Sequence, residues 1–284
     1  LGLGSDENPY CGSFLAGKDP FIIGNTPIFR TLSIQADVSE ISLRASGDRL
    51  ENPVFANHIV GNGLKGDKLL DVAVTVSENK ANSEKCDNFG GIIGIIDSNA
   101  AVSLKVTNNV SIREHLNSAN DGFLRCHKSG NAGFFCSEIH DSSIKIEYIC
   151  TESSETVTEN SCMLSVISDS ENAGLAVGYA ENSVIFVGEA INLYGQVFAD
   201  KSAGGFIGYS KNSEIRYADG NSKINLGTRN MSKVTLENSE SIGQRHYYGL
   251  MVNGRENSGG FIGNASYNNE TKGSAVMQLG LNAT

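Results

Sequence analysis

Apolar and polar residues alternate in short runs along this chain. Val102-Leu104-Val106, Ile144-Ile146-Tyr148, Ile224-Leu226 and Val234-Leu236 each put an apolar side chain at every second position. A period of two belongs to a strand with one buried face. PFIIG (residues 20–24) and LSIQADV (residues 32–38) predict further strands near the start. No stretch carries a sustained helical period with caps, and HLNSANDGFL (115–124) is too short and too rich in Asn to form one.

A glycine-anchored phrase recurs between these runs. GGIIG ends at Gly94, AGFFCS at Ser137, AGLAVG at Gly178, AGGFIG at Gly208 and SGGFIG at Gly263. Self-similarity of this kind marks stacked supersecondary units. Four residues beyond three of these endpoints stand Asp141, Asn182 and Asn212, followed by Ser142, Ser183 and Ser213. Asn and Asp tolerate left-handed backbone and close their own turns, so the pair predicts a corner. Ile144, Ile185 and Ile215 then open the next strand. Glycine, aliphatic pair, strand, corner, strand describes one coil of a solenoid, with glycine where backbones approach closely. The expected fold is all-β, a parallel β-helix (β-solenoid) with irregular loop insertions. Gly94, Gly178, Gly208 and Gly263 are its repeat anchors.

The steps between anchors run from 30 to 55 residues. Such irregularity calls for insertions on one face or for further copies with a decayed signature, YYGLMVN (247–253) among them. A propeller is the rival for repeats of this length, but the chain has no Trp and hence no Trp-Asp signature. Residues 55–284 are assigned to the solenoid, and residues 1–54 to a β-rich N-terminal cap or arm.

Composition narrows the partners. Of 284 residues, 39% are hydrophobic, enough for a continuous interior, and only 4 are proline against 32 glycine. The 22 basic and 32 acidic residues give a net charge of −10, which disfavours nucleic acid and anionic membranes. The longest apolar run, Gly90–Ile96, falls far short of a membrane span. The opening LGLGSDENPYCG and the closing MQLGLNAT both read as cut ends rather than natural termini.

Six cysteines, Cys11, Cys86, Cys126, Cys136, Cys150 and Cys162, form an even set clustered toward the middle, which favours disulfides and an oxidising compartment. Cys136 is the expected exception, because it takes the place of Ile93, Val177, Ile207 and Ile262 in the other copies. Asn109, Asn230, Asn264, Asn269 and Asn282 open glycosylation sequons, no more than chance supplies from this Asn, Ser and Thr content.

GGIIG (90–94), AGLAVG (173–178), AGGFIG (203–208) and SGGFIG (258–263) resemble the GLUG repeat of bacterial and some eukaryotic surface proteins. FANHIVGNGLKGDKLLDVAVTV (55–76) is similar to the stretch that often precedes such repeats, with Asn57 replacing a glycine and Asp71 an asparagine. The resemblance covers residues 55–284 and implies a parallel β-helix in an exported adhesin or surface structure. It carries no catalytic residues with it.

Candidate chemistry is sparse. Gly61, Gly63 and Gly66 match a dinucleotide fingerprint, but Leu69–Val76 reads as a strand where that chemistry needs a helix. Cys126, His127, Cys136 and His140 have no recognised zinc spacing. No cofactor and no metal is therefore expected, and SDEN (5–8) and GDKLLD (66–71) lack a calcium-loop pattern. Glu138, Asp141, Glu147, Glu181, Glu214 and Asp219 lie near corners without forming a distinctive pair. Tyr179 and Tyr209 both follow an anchor glycine and predict an aromatic ladder, while His58, His115 and His246 read as structural. The expectation is a non-catalytic, extracellular or surface-displayed structural or adhesive protein. Its partners would be copies of itself, other surface proteins or glycans. The competing reading is a glycan-active β-helix enzyme, a polysaccharide lyase or hydrolase. An intracellular scaffold with six free thiols is a third.

Overall fold

A computed structural model describes residues 21–22, 31–38, 55–61, 69–76, 90–108, 124–150, 163–189, 191–218, 220, 222–226 and 250–267. Among these residues the regular structure is all β, and every strand pairing is parallel.

Four sheets share the strands. Sheet I has seven: Phe21–Ile22, Ala56–Val60, Ile93–Asp97, Cys136–His140, Val177–Glu181, Ile207–Lys211 and Ile262–Ser266. Sheet II has six: Thr31–Val38, Leu69–Val76, Ala101–Asn108, Ser143–Cys150, Val184–Val187 and Glu214–Tyr217. Sheet III stacks Leu124–Lys128, Met163–Ser168 and Ile191–Ala199, the last of which supports both Ile224–Leu226 and Leu250–Gly254. Sheet IV holds the short strands Ala132–Gly133, Ala173–Gly174, Ser202–Gly204 and Asn257–Gly259. From Ala132 onward the chain visits IV, I, II and III in that order and begins again. The two strands before residue 55 extend sheets I and II rather than pairing elsewhere.

The alternating runs behave as predicted. Val102, Leu104, Val106, Ile144, Ile146 and Tyr148 all point inward and join one apolar cluster with residues from every sheet. Phe134, Phe135 and Tyr148 meet edge to face at 5.0–5.7 Å, and Phe206 stacks on Phe261 at 5.4 Å. Cys136 is wholly buried in register with Ile93 and Val177, as the repeat alignment required.

Corners fall where Asn and Asp stand. Asp141, Asn182 and Asn212 have φ of 45, 48 and 49°, the left-handed region that these side chains tolerate. One corner escaped the sequence alignment: Asn99 is also left-handed, but Ser98 is an extra residue beside it and shifts the spacing by one.

Unequal pass lengths have a local cause. Asn182 and Asn212 lie 30 residues apart, whereas Asp141 and Asn182 are separated by 41, and Ser202 and Asn257 by 55. From Ile93 onward the surplus falls mainly between sheets II and III, from Asn108 to Leu124, Cys150 to Met163 and Tyr217 to Leu250, against only Val187 to Ile191 in the shortest pass. The Leu250–Asn253 part of the expected decayed copy is corrected by its register. It pairs with Gly195–Phe198 in sheet III, not with the anchor strands. Its Leu250 and Val252 alternate as any inward-facing strand does, so alternation alone could not place it.

The anchor glycines are needed where sheets I and IV touch. A Cβ at Gly178 would come within 2.7 Å of Ala132 N. One at Gly208 would lie 2.5 Å from Gly178 O and 2.7 Å from Ala173 N, and one at Gly263 would lie 2.5 Å from Ala203 O. Each glycine thus faces the sheet IV alanine of the preceding pass. Asn57 and Ser137 occupy the same row with Gly94 between them; among the described residues no sheet IV strand lies in the pass before any of the three, and a Cβ at Gly94 would instead come 2.3 Å from Asn57 O. Gly208→Ala is expected to cost roughly 1–3 kcal/mol through forced backbone displacement. Gly130→Ala, where an added Cβ meets nothing within 4 Å, should leave the melting temperature nearly unchanged. Thermal unfolding of the two variants beside the parent checks this contrast.

Candidate functional site

The outward face of sheet I gathers six of the side chains singled out in the sequence, His58, Glu138, His140, Tyr179, Glu181 and Tyr209. Alternation along its strands creates two outward rows. One runs His58, Ile95, Glu138, Tyr179, Tyr209, Asn264, and the other Val60, Asp97, His140, Glu181, Lys211, Ser266. Residues in a row are separated by one strand spacing, so their side chains interact directly.

His140 is central to this face. Its Nε2 lies 3.1 Å from Glu138 Oε2 on the same strand, and its Nδ1 lies 3.7 Å from Glu181 Oε2 on the next. The imidazole also leans on the Tyr179 ring at 5.4 Å. Glu181 accepts hydrogen bonds from Lys211 Nζ at 2.5 Å and from Tyr179 OH at 3.0 Å. Asn131 donates to the second oxygen of Glu138 at 3.1 Å. On the preceding strand, Asp97 Oδ2 stands 3.7 Å from His58 Nε2, beyond hydrogen-bond reach.

These contacts set the protonation states. The hydrogen bond with His140 holds Glu138 below the ordinary carboxylate range, helped by Asn131 and opposed by partial burial. The same bond raises His140, against burial. Lys211 holds Glu181 down, and burial followed by the bond to Glu181 pushes the Tyr179 phenol up. A glycan-cleaving pair needs one carboxyl raised to act as acid while its partner stays ionised. Glu138 and Glu181 are both shifted downward, so neither is the raised carboxyl of such a pair.

Tyr179 and Tyr209 are in register on adjacent strands, as the sequence suggested, and meet edge to face at 5.4 Å. Tyr209 OH shares a 2.9 Å hydrogen bond with Ser266 Oγ. Asn264, the sequon asparagine among the described residues, continues the tyrosine row, while Asn109, Asn230, Asn269 and Asn282 lie outside them.

The other candidate groupings are scattered. Cys126 and Cys136 point inward as buried free thiols, each pushed up to about 12 by burial. Strand alternation accounts for this, since both occupy inward positions in the apolar interior. Cys11, Cys86 and Cys162 lie outside the described residues, and Cys150 ends a strand of sheet II. His127 turns outward from sheet III to Asp169 at 2.8 Å, away from His140, so the zinc-like quartet does not converge. Among the described residues no group of three or more His, Cys, Asp or Glu side chains is placed to hold a metal ion. Nor is any helix there long and apolar enough to cross a membrane. Glu147 pairs with Lys145 and Glu214 with Arg216 on sheet II, and Asp219, His115 and His246 lie outside the described residues. A strand follows the Gly61 fingerprint, as expected, with Gly63 and Gly66 outside the described residues.

Polar columns bound the face. Asn182 Nδ2 donates to Asp141 Oδ1 at 3.1 Å, and Asn212 Nδ2 to Asn182 Oδ1 at 3.2 Å. Beside them the backbone N–H of Ala100, Ser142 and Ser183 donates to the hydroxyls of Ser142, Ser183 and Ser213 at 3.1–3.2 Å. A second column, unforeseen from sequence, links Asn172 Nδ2 to Asn131 Oδ1 at 2.9 Å. Its only signal was the Asn preceding Ala-Gly at both positions.

No protein-family model, no curated protein and no solved structure matches the chain. Function must therefore follow from this face and its columns.

Asn182→Ala should cost roughly 1–3 kcal/mol, combining left-handed strain with the loss of hydrogen bonds to both neighbours in the column. Asn182→Gly removes the strain but not the lost bonds and should fall between Ala and parent. Urea unfolding midpoints of the three proteins give the ranking.

Proposed function

We propose that this chain is a parallel β-helix, a closed β-solenoid related to GLUG-repeat surface proteins, and that its role is structural or adhesive at the cell surface or outside the cell. The observation that carries this reading is the repeated visit to sheets IV, I, II and III around one apolar cluster. That order builds a body able to lengthen by adding passes without altering its cross-section. Outside, the polar groups are spent on one another. Asn bonds to Asn, Tyr to Ser, and acid to base along each row. Such pairing reinforces the stack axially, which suits a load-bearing stalk or a filament subunit. The polar flanks and the tyrosine row leave glycans and other surface proteins as adhesive partners.

Small-angle scattering should report an elongated particle advancing about 4.8 Å per pass, and negative-stain images short rods or filaments. A round particle would overturn the shape and the role with it. In the oxidising compartment this reading requires, alkylation under denaturing, non-reducing conditions should label Cys126 and Cys136 while Cys11, Cys86, Cys150 and Cys162 stay paired. Labelling of all six would place the chain inside the cell. Release of new reducing or unsaturated ends from any polysaccharide in a panel would replace the structural role with an enzymatic one.

A further inference from the structure

Both nitrogens of the His140 ring face carboxylate oxygens, Nε2 toward Glu138 and Nδ1 toward Glu181. A neutral imidazole carries one N–H and one lone pair, so one of these contacts must then be repulsive. Only imidazolium is attracted to both, through a hydrogen bond to Glu138 and, across 3.7 Å, through charge to Glu181. The surroundings sharpen the requirement, because Glu138 on its own strand and Glu181 on the next flank the ring, and Asp97 on the preceding strand adds its negative charge at longer range. Cations nearby are already engaged, Lys211 with Glu181 and Lys128 with Ser137. Asn131 supports Glu138, Tyr179 packs on the ring and donates to Glu181, and Asp141 at the adjoining corner accepts from Asn182.

We propose that His140 is a proton-operated clasp, tying its own strand of sheet I to the next when protonated and releasing an acidic flank when neutral. Protonated, the row Asp97, His140, Glu181, Lys211 alternates in sign along the stack. Neutral His140 leaves Asp97, Glu138 and Glu181 close together with one lysine among them, and like charges on neighbouring strands repel. The clasp thus stiffens the flank in mildly acidic surroundings and loosens it as the medium turns alkaline.

The pH window follows from the directions of shift. His140 is raised above its ordinary 6.5, so its contribution is complete below 6.5 and fades as pH rises through the folded-state value. Glu138 and Glu181 are lowered from 4.5, so theirs is complete above 4.5 and fades as pH falls through their folded-state values. All three act together between 4.5 and 6.5.

The test is an NMR titration of the His140 ring, assigned with His140→Gln, with melting temperatures recorded across the same pH range. The ring should titrate above an ordinary histidine, and Glu138→Gln and Glu181→Gln should each lower its midpoint, Glu138→Gln more. The parent should melt a few degrees above His140→Gln at about pH 5.5, and the gap should close by about pH 8.5. His127→Gln, on another sheet, should leave the His140 midpoint where it was. If His140→Gln does not fold, the midpoints of the two glutamate variants decide the matter. A midpoint at or below the ordinary value that Glu138→Gln does not move, or a melting gap independent of pH, would overturn the clasp.

Discussion

Parallel strand pairing in register is the constraint on which the rest depends. It sets equivalent residues of successive passes side by side, one strand spacing apart, so every row must be compatible with itself. Inside, that demand is met by aliphatic and aromatic side chains, which attract their own kind. At the corners it is met by Asn and Ser. An amide carries both donor and acceptor and can bond up and down a column of identical groups. Charged rows have no such solution, since a column of one sign repels itself. Sheet I instead alternates Asp97, His140, Glu181 and Lys211.

The glycine anchor belongs to the same logic at the backbone level. Where sheet IV folds against sheet I, the strand of one pass meets the alanine of the pass before, and no Cβ fits between Gly208 and Ala173. Rows are therefore strict where two backbones meet and tolerant where only solvent or the interior lies beyond. Ser137 and Asn57 show that the glycine row admits a side chain at some passes, although Gly94 between them still meets the Asn57 backbone, and insertions between sheets II and III mark the tolerant corner. Stability and variability occupy different sides of the same body.

The outward face of sheet I shows how such a body brings ionisable groups together. Its ionisable groups are drawn from strands far apart in sequence, with Glu181 facing His140 and Asp97 facing His58. The buried thiols show the reverse, being nucleophiles that burial keeps protonated. Reactivity and response on this molecule are thus decided by which side of a strand a residue occupies.

Much was legible from residues alone. The strand periodicity, the anchor glycines, the Asn-Ser corners and the interior place of Cys136 all depend on local pattern or on repeat spacing, and the order of residues carries both. Illegible were the corner at Asn99, hidden by a single extra residue, the sheet III position of Leu250–Asn253, and the meeting of His140 with Glu138 and Glu181. The reason is physical. Side-chain period and backbone propensity are local properties that a sequence states directly, whereas row membership depends on how many residues each pass consumes before the chain returns. That length varies with every insertion, and only the folded arrangement decides which side chains finally become neighbours.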